Sequence, residues 1–387
     1  MYIGGFFMEF KCARCGNEDP RKIGFRNGVP YCRACIRYKE PKMFSENKYK
    51  LKEVEINLNY PLTEKQKELS DKLVTNYLNR KNSLVNAVCG AGKTEIVIEV
   101  IKLCLKEGGR VGFAIPRRDV VIEIFHRLKD IFINTKCIYV CGGHNEILEG
   151  ELICLTTHQL HKYNSYFDLL IVDEIDAFPY NGDKVLESHL YNSVKGLTIF
   201  LSATPSYKLV QEFSKDDTSL LNLNERFHRQ PIPVPKVIIR IDQFQIFVLL
   251  KFLKRYKKEN KPVMIFCPTI DLCESMYRVI SKFISSVNYV HSKRDERNEI
   301  IRDFKDNKFL FLFTTSVLER GITIKDLQVI VLRADHNLFT SESLIQIAGR
   351  AGRKKDSPTG DIYFICEENT NKIRKCIEKI RKSNSTL

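Results

Sequence analysis

A glycine-rich turn at Ala87–Thr94, Ala-Val-Cys-Gly-Ala-Gly-Lys-Thr, is the stretch of this chain best suited to chemistry. An apolar run at residues 83–88 leads into the turn, and a helical pattern at residues 94–103 follows it. A strand, a glycine-rich turn and a helix in this order are typical of a phosphate-binding loop, because small residues let backbone N–H groups surround phosphate oxygens at a helix N-terminus. Ala87 stands where the motif usually has glycine, and a plain tight turn before an amphipathic helix is the alternative.

The residues of this loop have separate expected roles in binding ATP. The backbone of Gly90, Ala91 and Gly92 would surround the phosphates, and Lys93 would reach the β- and γ-phosphates. The Thr94 hydroxyl would bind Mg²⁺.

Gln66, upstream of the loop, is a candidate for the adenine edge, since a Gln amide can pair with N6 and N7 together. Thr63 and Gln66 also fit a helix capping box, which explains the same residues without a ligand.

Two carboxylates, Asp173 and Glu174, end an apolar run that begins at Asp168. A buried strand with this ending suits a nucleotide hydrolase: Asp173 would hold Mg²⁺, and Glu174 would polarise the attacking water. A further apolar run ends in Ser202-Ala203-Thr204. The hydroxyls of Ser202 and Thr204 are candidates for coupling hydrolysis to the second half of the chain.

Four cysteines near the N-terminus form two Cys-x-x-Cys pairs, Cys12 with Cys15 and Cys32 with Cys35. The spacing predicts a zinc ribbon, because four thiolates fill a tetrahedral Zn²⁺ shell and leave no position open for catalysis. Four unliganded thiols would leave a segment of this size almost without an apolar core. The arginines and lysines around the pairs either contact phosphates or form a solvated surface, and the sequence leaves both readings open.

Composition limits the classes of partner and compartment. The 387 residues include 62 Lys and Arg against 47 Asp and Glu, a formal net charge of +15. This excess favours nucleic acid or an anionic membrane surface as partner, with simple solubility as the alternative. Thirteen cysteines, many in apolar runs, suit a reducing compartment. Since the chain has no signal-peptide pattern and no run of about 18 apolar residues, we expect a cytoplasmic protein without a transmembrane segment.

Alternating strand and helix patterns predict an α/β fold with two tandem parallel-sheet domains. The alternation restarts after Pro231, Pro233 and Pro235, which hold the backbone extended. The expected organisation is a zinc ribbon at residues 1–40, a linker at 41–60 with an edge strand at 53–58, an ATP-binding domain at 61–230, and a second domain at 231–387.

The second half lacks a phosphate loop but offers cations. Arg350 and Arg353 are three residues apart among small residues, which predicts one helix face that approaches ATP and supplies arginine fingers. A solvated surface helix is the alternative. Other polar residues follow predicted strands, where open α/β sheets bind ligands, and they are candidates to hold a DNA backbone: Arg117, Thr157, Thr315 and Arg320.

Taken in order, these motifs resemble the core of a superfamily 2 helicase over residues of about 60–370, which implies two RecA-like domains. The ordered set is Gln66, Ala87–Thr94, Arg117, Thr157, Asp173-Glu174, Ser202-Ala203-Thr204, Thr315 with Arg320-Gly321, and Gln346 with Arg350 and Arg353.

Narrower features resemble the late-competence DNA-uptake ATPases over nearly the whole chain. These features are the cysteine ribbon and the segments 173–180 and 315–321. The resemblance implies a single-stranded-DNA-stimulated ATPase and translocase with ATP, Mg²⁺ and Zn²⁺ as cofactors and a nucleotide contact by Gly321. It also implies work at the inner face of the membrane, beside the uptake channel and other competence proteins. Thr323 stands where many superfamily 2 members carry Asp, so a ribose contact there is not carried over.

Other functions fit parts of this pattern. A replication-restart DNA helicase combines the same core with zinc modules, but its cysteines lie within the helicase half. An RNA helicase is a further enzyme reading. A non-hydrolysing, zinc-organised nucleic-acid-binding module would require the loss of a catalytic group. All five candidate groups are present: Lys93, Asp173, Glu174, Arg350 and Arg353. The oligomeric state and the direction of movement stay open.

Overall fold

The computed structural model describes residues 10–38, 41–42, 44, 49, 53–58, 61–176, 183–215, 219–318, 324–354 and 356–385. The chain forms two compact units: unit 1 comprises Met1–Ala87 and Gly92–Leu223, and unit 2 comprises Val88–Ala91 and Asn224–Leu387. Each unit is built on one parallel β-sheet, which confirms the predicted α/β class.

Unit 1 opens with the ribbon, whose regular part is an antiparallel hairpin of β1 (Ile23–Arg26) and β2 (Val29–Cys32). The linking residues Asn27 and Gly28 have φ angles of 50° and 77°. Two consecutive left-handed residues are characteristic of the tight two-residue turns that match the twist of a hairpin, and Asn-Gly is the pair that adopts them most readily.

The main sheet of unit 1 has seven strands in the order β5-β6-β4-β7-β8-β3-β9, all paired in parallel. Since parallel strands run in one direction, their carboxyl ends meet at one edge of the sheet. The elements in chain order are α1 (Glu64–Leu78), β3 (Ser83–Ala87), α2 (Lys93–Ile96), α3 (Ile98–Lys106), β4 (Val111–Ile115), α4 (Arg118–Ile131), β5 (Cys137–Val140), β6 (Leu152–Thr156), a 3₁₀ helix (Thr157–Lys162), β7 (Phe167–Asp173), α5 (Lys184–Ser193), β8 (Val194–Ser202), α6 (Tyr207–Phe213) and β9 (Leu220–Leu223).

Unit 2 carries a six-stranded parallel sheet in the order β10-β15-β14-β11-β13-β12. Alternate residues of one strand enter different cores: Met264 and Phe266 pack on one face of the sheet, and Val263 and Ile265 pack on the other. Burial on both faces explains the unbroken apolar runs of these strands. The elements are β10 (Lys236–Ile239), α7 (Asp242–Lys258), β11 (Val263–Phe266), α8 (Ile270–Ile280), β12 (Val287–Val290), α9 (Arg297–Lys305), β13 (Phe311–Thr314), a 3₁₀ turn (Ser316–Leu318), β14 (Gln328–Leu332), α10 (Ser341–Ala348), β15 (Ile362–Cys366) and α11 (Asn371–Asn384).

The expected edge strand at 53–58 is wrong. Only one residue pair there, Ile56 with Phe132, forms a β-bridge. The Asn134 side chain takes the place of a partner strand, since it accepts from Glu55 N at 3.2 Å and donates to Glu53 O at 2.9 Å. The helix expected at residues 94–103 is also divided, because α2 ends before Val97 and α3 begins after it.

The ribbon is anchored to unit 1 through α5 and the 3₁₀ helix. Ser188 Oγ donates to Cys15 O at 2.9 Å, and Asn192 Nδ2 donates to Arg14 O at 2.8 Å. The Tyr38 ring lies 5.0 Å from the His161 ring and 4.8 Å from the His189 ring, centroid to centroid. These contacts fix the ribbon to the flank of the sheet. None of the helices in the described ranges is both long and apolar enough to cross a membrane.

The ring cluster under the ribbon makes stability depend on pH. His189 is 4% exposed, and its Nε2 has no hydrogen-bond partner among the described residues. Burial lowers the pKa of His189 to about 4, with smaller contributions from His161 and Arg14 that act in the same direction. The pKa of a histidine in an unfolded chain is near 6.5. Between pH 6.5 and about 4, His189 is therefore protonated in the unfolded chain but neutral in the folded protein. The stability present above pH 6.5 is therefore lost as the pH falls towards 4.

We expect His189→Phe to reduce this loss, because phenylalanine fills the space without a titrating nitrogen. The measurement is urea unfolding of both proteins at pH 7.5, 6 and 5. The exposed His126→Gln is the matched control and should keep the wild-type slope of stability against pH. If His189→Phe loses as much stability between pH 7.5 and 5 as the wild type, the buried ring is not the cause.

Candidate functional site

The predicted catalytic groups of unit 1 lie at the carboxyl edge of its sheet. The phosphate loop follows β3, Asp173 ends β7, and Ser202 ends β8. Strand β8 pairs with both β3 and β7, and the register places Asp173 beside Leu201 and Asn86 beside Ser202. The sheet order thus brings together residues that are far apart in the chain.

Two glycines give the phosphate loop its shape. Gly90 and Gly92 have φ angles of 84° and 83°, a left-handed conformation that L-residues with a side chain rarely adopt. A Cβ on Gly92 would also collide with the Gln66 amide and come within 3.2 Å of Glu95 Oε2. The loop therefore requires glycine at position 92 for both its conformation and its packing.

Lys93 and Asp173 form an ion pair, with Lys93 Nζ 3.0 Å from Asp173 Oδ1. Asp173 is buried, and burial raises its pKa, while the Lys93 charge opposes that rise. The carboxylate also accepts from Glu174 N at 2.9 Å. The predicted phosphate lysine and the predicted Mg²⁺ ligand are thus adjacent, and Thr94 is buried directly after Lys93.

Glu174 has a φ angle of 59°, which is unusual for a residue with a side chain. Its backbone N–H donates to Leu201 O of β8 at 2.9 Å, and this bond keeps the residue in line with the sheet. Backbone conformations of this kind cost about 1–3 kcal/mol and cluster at functional sites. The strained turn makes the Asp173-Glu174 pair a stronger candidate for the hydrolytic carboxylates.

Gln66 fulfils the capping-box alternative and also lies against the loop. Thr63 N donates to Gln66 Oε1 at 2.9 Å, and Gln66 N donates to Thr63 Oγ1 at 3.3 Å. The rest of the amide packs on Gly92. The side chain is therefore held in one orientation beside the loop, and its contact with adenine stays a prediction.

Asp176 links the two predicted coupling residues, and sequence reasoning gave it no role. Ser202 Oγ donates to Asp176 Oδ1 at 2.6 Å, and Thr204 Oγ1 donates to Asp176 Oδ2 at 2.7 Å. Thr204 N also donates to Ser202 Oγ at 3.0 Å. The ends of β7 and β8 are therefore joined by one carboxylate. The signal was present, since Asp176 is the fourth residue of the acidic motif.

A second missed carboxylate is Glu95, which directly follows Thr94. Glu95 is buried and forms an ion pair with Arg127 of α4. This pair holds the first turn of α2 against α4. Nothing in the sequence distinguishes these two residues from ordinary helix-surface charges.

The predicted DNA contacts occupy different environments. Arg117 is half-buried at the N-cap of α4. Thr157 begins the 3₁₀ helix and is 1% exposed, and its Oγ1 has no hydrogen bond within the described ranges. Thr315 is buried directly after β13. Arg320 and Gly321 lie outside the described residues, as do Thr323 and positions 177–180. These roles stay predictions.

The prediction that Arg350 and Arg353 lie on one helical face is wrong. Helix α10 ends at Ala348, so both arginines lie in the turns that follow it. Gly352 has a φ angle of 63°, which interrupts any further helix. Arg350 is 1% exposed, and Arg353 Nε donates to Gly349 O at 2.9 Å. The sequence favours a helix whose glycines allow close approach, but Gly349 caps the helix and Gly352 prevents its continuation.

Arg226 supports the same turns of unit 2 and was missed by sequence reasoning. Its guanidinium is buried and donates to the carbonyl oxygens of Gly352 at 2.6 Å, Ala351 at 3.2 Å and Gly349 at 3.4 Å. Burial and, to a smaller extent, the charge of Arg353 lower the pKa of Arg226 to about 10. No motif surrounds Arg226, so only folding shows that it holds this backbone.

The ribbon cysteines have the arrangement of a tetrahedral metal site. All four thiols are buried, and the four Sγ atoms lie within 4.8 Å of one another. Cys12 Sγ lies 3.7 Å from Cys35 Sγ, and Cys15 Sγ lies 3.6 Å from Cys32 Sγ. A Zn–S bond of about 2.3 Å in a tetrahedron requires an S···S distance of ~3.8 Å, whereas a disulfide requires about 2.05 Å. The donor set and spacing fit Zn²⁺.

Two family models match the two halves of the chain. The DEAD/DEAH box helicase model matches residues 63–213, and the helicase conserved C-terminal domain model matches residues 245–355. The first range contains the loop and carboxylate motifs, and the second contains Arg350 and Arg353. These matches show a superfamily 2 helicase-type ATPase core.

Solved helicase structures share this fold. The protein Mss116p, bound to single-stranded RNA and AMP-PNP, has a TM-score of 0.66 and 18% identity, and the match covers 83% of this chain and 73% of that one. RecG bound to a three-way DNA junction has a TM-score of 0.60 and 18% identity, over 84% of this chain and 45% of that one. At these identities the likeness shows the fold alone.

Two relatives match almost the full length of the chain. Competence protein ComFA of Streptococcus pneumoniae (strain ATCC BAA-255 / R6) is 35% identical, over 96% of this chain and 90% of the relative. Competence protein ComFA of Bacillus subtilis (strain 168) is 31% identical, over 97% of this chain and 86% of the relative. Together with the helicase-type core, this extent of identity shows that the chain belongs to the ComFA family of competence proteins.

Proposed function

We propose that this protein is an ATP-driven translocase of single-stranded DNA that helps to draw transforming DNA into the cell. The observation that carries the proposal is the Lys93–Asp173 ion pair at the head of the phosphate loop. In the absence of nucleotide each group balances the charge of the other. Bound ATP would instead engage Lys93, which frees Asp173 for the metal.

The residues of the candidate nucleotide site would have separate roles in hydrolysis. The loop amides at Gly90–Gly92 bind phosphate oxygens, Lys93 neutralises charge on the β- and γ-phosphates, and Gln66 holds adenine. Mg²⁺, held by Thr94 and Asp173, would stabilise the charge that develops on the phosphates. Glu174 orients the attacking water and draws its proton.

Arg350 and Arg353 would supply cations to the γ-phosphate, and forked guanidinium groups suit that task. Arg226 keeps the turns that carry them in place through three carbonyl bonds. The Asp176 link to Ser202 and Thr204 would pass the state of the nucleotide from β7 to β8. A cycle of binding and hydrolysis would then advance the DNA held by Arg117, Thr157, Thr315 and Arg320.

The name of the relatives supports a role in competence. We propose that the protein works in the cytoplasm, at the inner face of the membrane, with other competence proteins and the uptake channel as partners. Fractionation of competent cells with and without those partners tests this placement, and release from the membrane fraction in their absence is the expected result.

One steady-state ATPase assay with and without single-stranded DNA tests the activity directly. Competition between RNA and single-stranded DNA for stimulation separates a DNA motor from an RNA helicase. Strand displacement on forked DNA separates a translocase from a replication-restart helicase, because a translocase need not unwind duplex. ATP binding without turnover would indicate the non-hydrolysing module.

We expect Lys93→Ala to lower DNA-stimulated ATPase activity about 100-fold or more, since it removes a cation aimed at the transferred phosphate. The control is Lys67→Ala, which removes an exposed lysine from α1 and should keep wild-type turnover. Thermal melting of both variants checks that Asp173, now without its ion-pair partner, has not unfolded unit 1. Full DNA-stimulated turnover by Lys93→Ala would contradict the proposed mechanism.

We also propose that the four ribbon cysteines hold one structural Zn²⁺, and we expect Cys12→Ser with Cys15→Ser to abolish it. Two hydroxyls cannot replace two thiolates in a site with no other ligand. Metal analysis of purified protein should give about one zinc for each wild-type chain and none for the variant, which should bind single-stranded DNA more weakly. Cys137→Ser should retain the zinc. A wild-type chain purified without zinc contradicts the zinc site, and unchanged DNA binding in the double variant would show that the ribbon is only a structural appendage.

A further inference from the structure

The ribbon hairpin presents cations along one face. In an antiparallel pair, directly opposite residues lie on the same side, and the register pairs Arg26 with Val29 and Gly24 with Tyr31. The pairing continues beyond the strands, since Arg33 N donates to Lys22 O at 2.8 Å. Lys22, Arg26 and Arg33 are therefore distributed over ~13 Å of the hairpin.

These three cations carry uncompensated charge. Residues 10–38 contain seven Lys and Arg but only two carboxylates, Glu18 and Asp19. Those carboxylates are already engaged, Glu18 with Lys11 at 2.9 Å and Asp19 with Arg21 at 3.0 Å. Within the described ranges the side chains of Lys22, Arg26 and Arg33 are exposed and form no ion pair. The hairpin is complementary to a polyanion.

An aromatic side chain lies among these cations. Tyr31 is paired with Gly24, so it shares the face of the three cations. Its half-buried ring covers Gly24, where any Cβ would collide with it. Phe25 is 68% exposed, but it alternates with Arg26 and therefore lies on the opposite face. A ring beside cations is the combination that binds single-stranded nucleic acid, with bases stacked on rings and phosphates paired with cations.

The ribbon contacts the element that carries a residue predicted to hold DNA. The ribbon residue Tyr38 packs on His161 of the 3₁₀ helix, and that helix begins at Thr157. Lys42 N also donates to Lys162 O at 3.1 Å. The ribbon and Thr157 therefore belong to the same unit and are linked through one helix.

We propose that the β1–β2 hairpin is a second contact for single-stranded DNA, in which Tyr31 stacks on a base and Lys22, Arg26 and Arg33 bind phosphates. The inference rests on the proposed function, which supplies the DNA. It gives the ribbon a direct role in binding the strand, in addition to its proposed structural zinc site.

Binding of a fluorescent oligo(dT) to the zinc-loaded full chain, titrated at several salt concentrations, tests the two roles separately. Tyr31→Leu should raise the Kd about 5-fold or more, the low end for a stacked base, without changing the salt dependence. Arg26→Ala should weaken binding and reduce the slope of log K against log salt by about 0.7, because one phosphate contact is lost. Leucine keeps an apolar side chain over Gly24, and Arg26 is exposed, so neither change disturbs the core.

Matched controls come from the same chain. Phe25→Ala removes an exposed ring from the opposite face of the same hairpin, and Arg21→Ala removes a ribbon arginine that Asp19 already neutralises. Both should bind oligo(dT) as the wild type does. If Tyr31→Leu matches Phe25→Ala and Arg26→Ala keeps the wild-type slope, the hairpin does not bind DNA. If DNA does not stimulate the ATPase of the wild-type chain, the proposed function is wrong. The oligo(dT) titration then still shows whether the hairpin binds DNA.

Discussion

The ion pair between Lys93 and Asp173 is the interaction on which the nucleotide site depends. Withdrawing two charges from water costs several kcal/mol for each ion, and their attraction only partly offsets it. Burial raises the pKa of Asp173 even beside Lys93, which shows the direction of that cost. A buried pair is thus weak as a source of stability. It is useful in a site whose ligands, a polyphosphate and a divalent cation, carry the charges that both groups require.

The pair exists because the parallel sheet brings two strand ends to one edge. Strand β8 lies between β3 and β7, and its register sets Leu201 beside Asp173 and Ser202 beside Asn86. The same edge carries the strained turn at Glu174 and the bonds from Ser202 and Thr204 to Asp176. One topological feature therefore positions the proposed phosphate lysine, the proposed hydrolytic carboxylates and the residues proposed to couple them.

The ribbon has too few apolar residues to support itself, and this explains both its cysteines and its anchoring. Four thiols form its interior, and α5 and the 3₁₀ helix supply the bonds and ring contacts that fix it to unit 1. Because four buried thiols form its interior, the hairpin surface is free to carry unbalanced charge. The ribbon thus adds a basic surface to a fold whose other motifs are those of a nucleotide-binding site.

The sequence by itself determined the α/β class, the phosphate loop, the acidic motif and the four-cysteine pattern. These features are local: alternating apolar runs, glycines at left-handed positions and paired cysteines leave their mark over a few residues. Their nearness was predictable as well, because parallel strands must end at one edge.

Only the tertiary structure decided which partners each group meets. The bonds of Asp176 to Ser202 and Thr204, of Glu95 to Arg127, and of Arg226 to three carbonyls join residues whose separation in the chain carries no periodic signal. The end of α10 before Arg350 depended on a backbone choice at Gly349 and Gly352 that small residues leave open. The apparent edge strand at 53–58 lost its ladder because the Asn134 side chain bonds that backbone instead. Long-range hydrogen bonds and ion pairs are chosen by packing, and for that reason they appear only once the chain has folded.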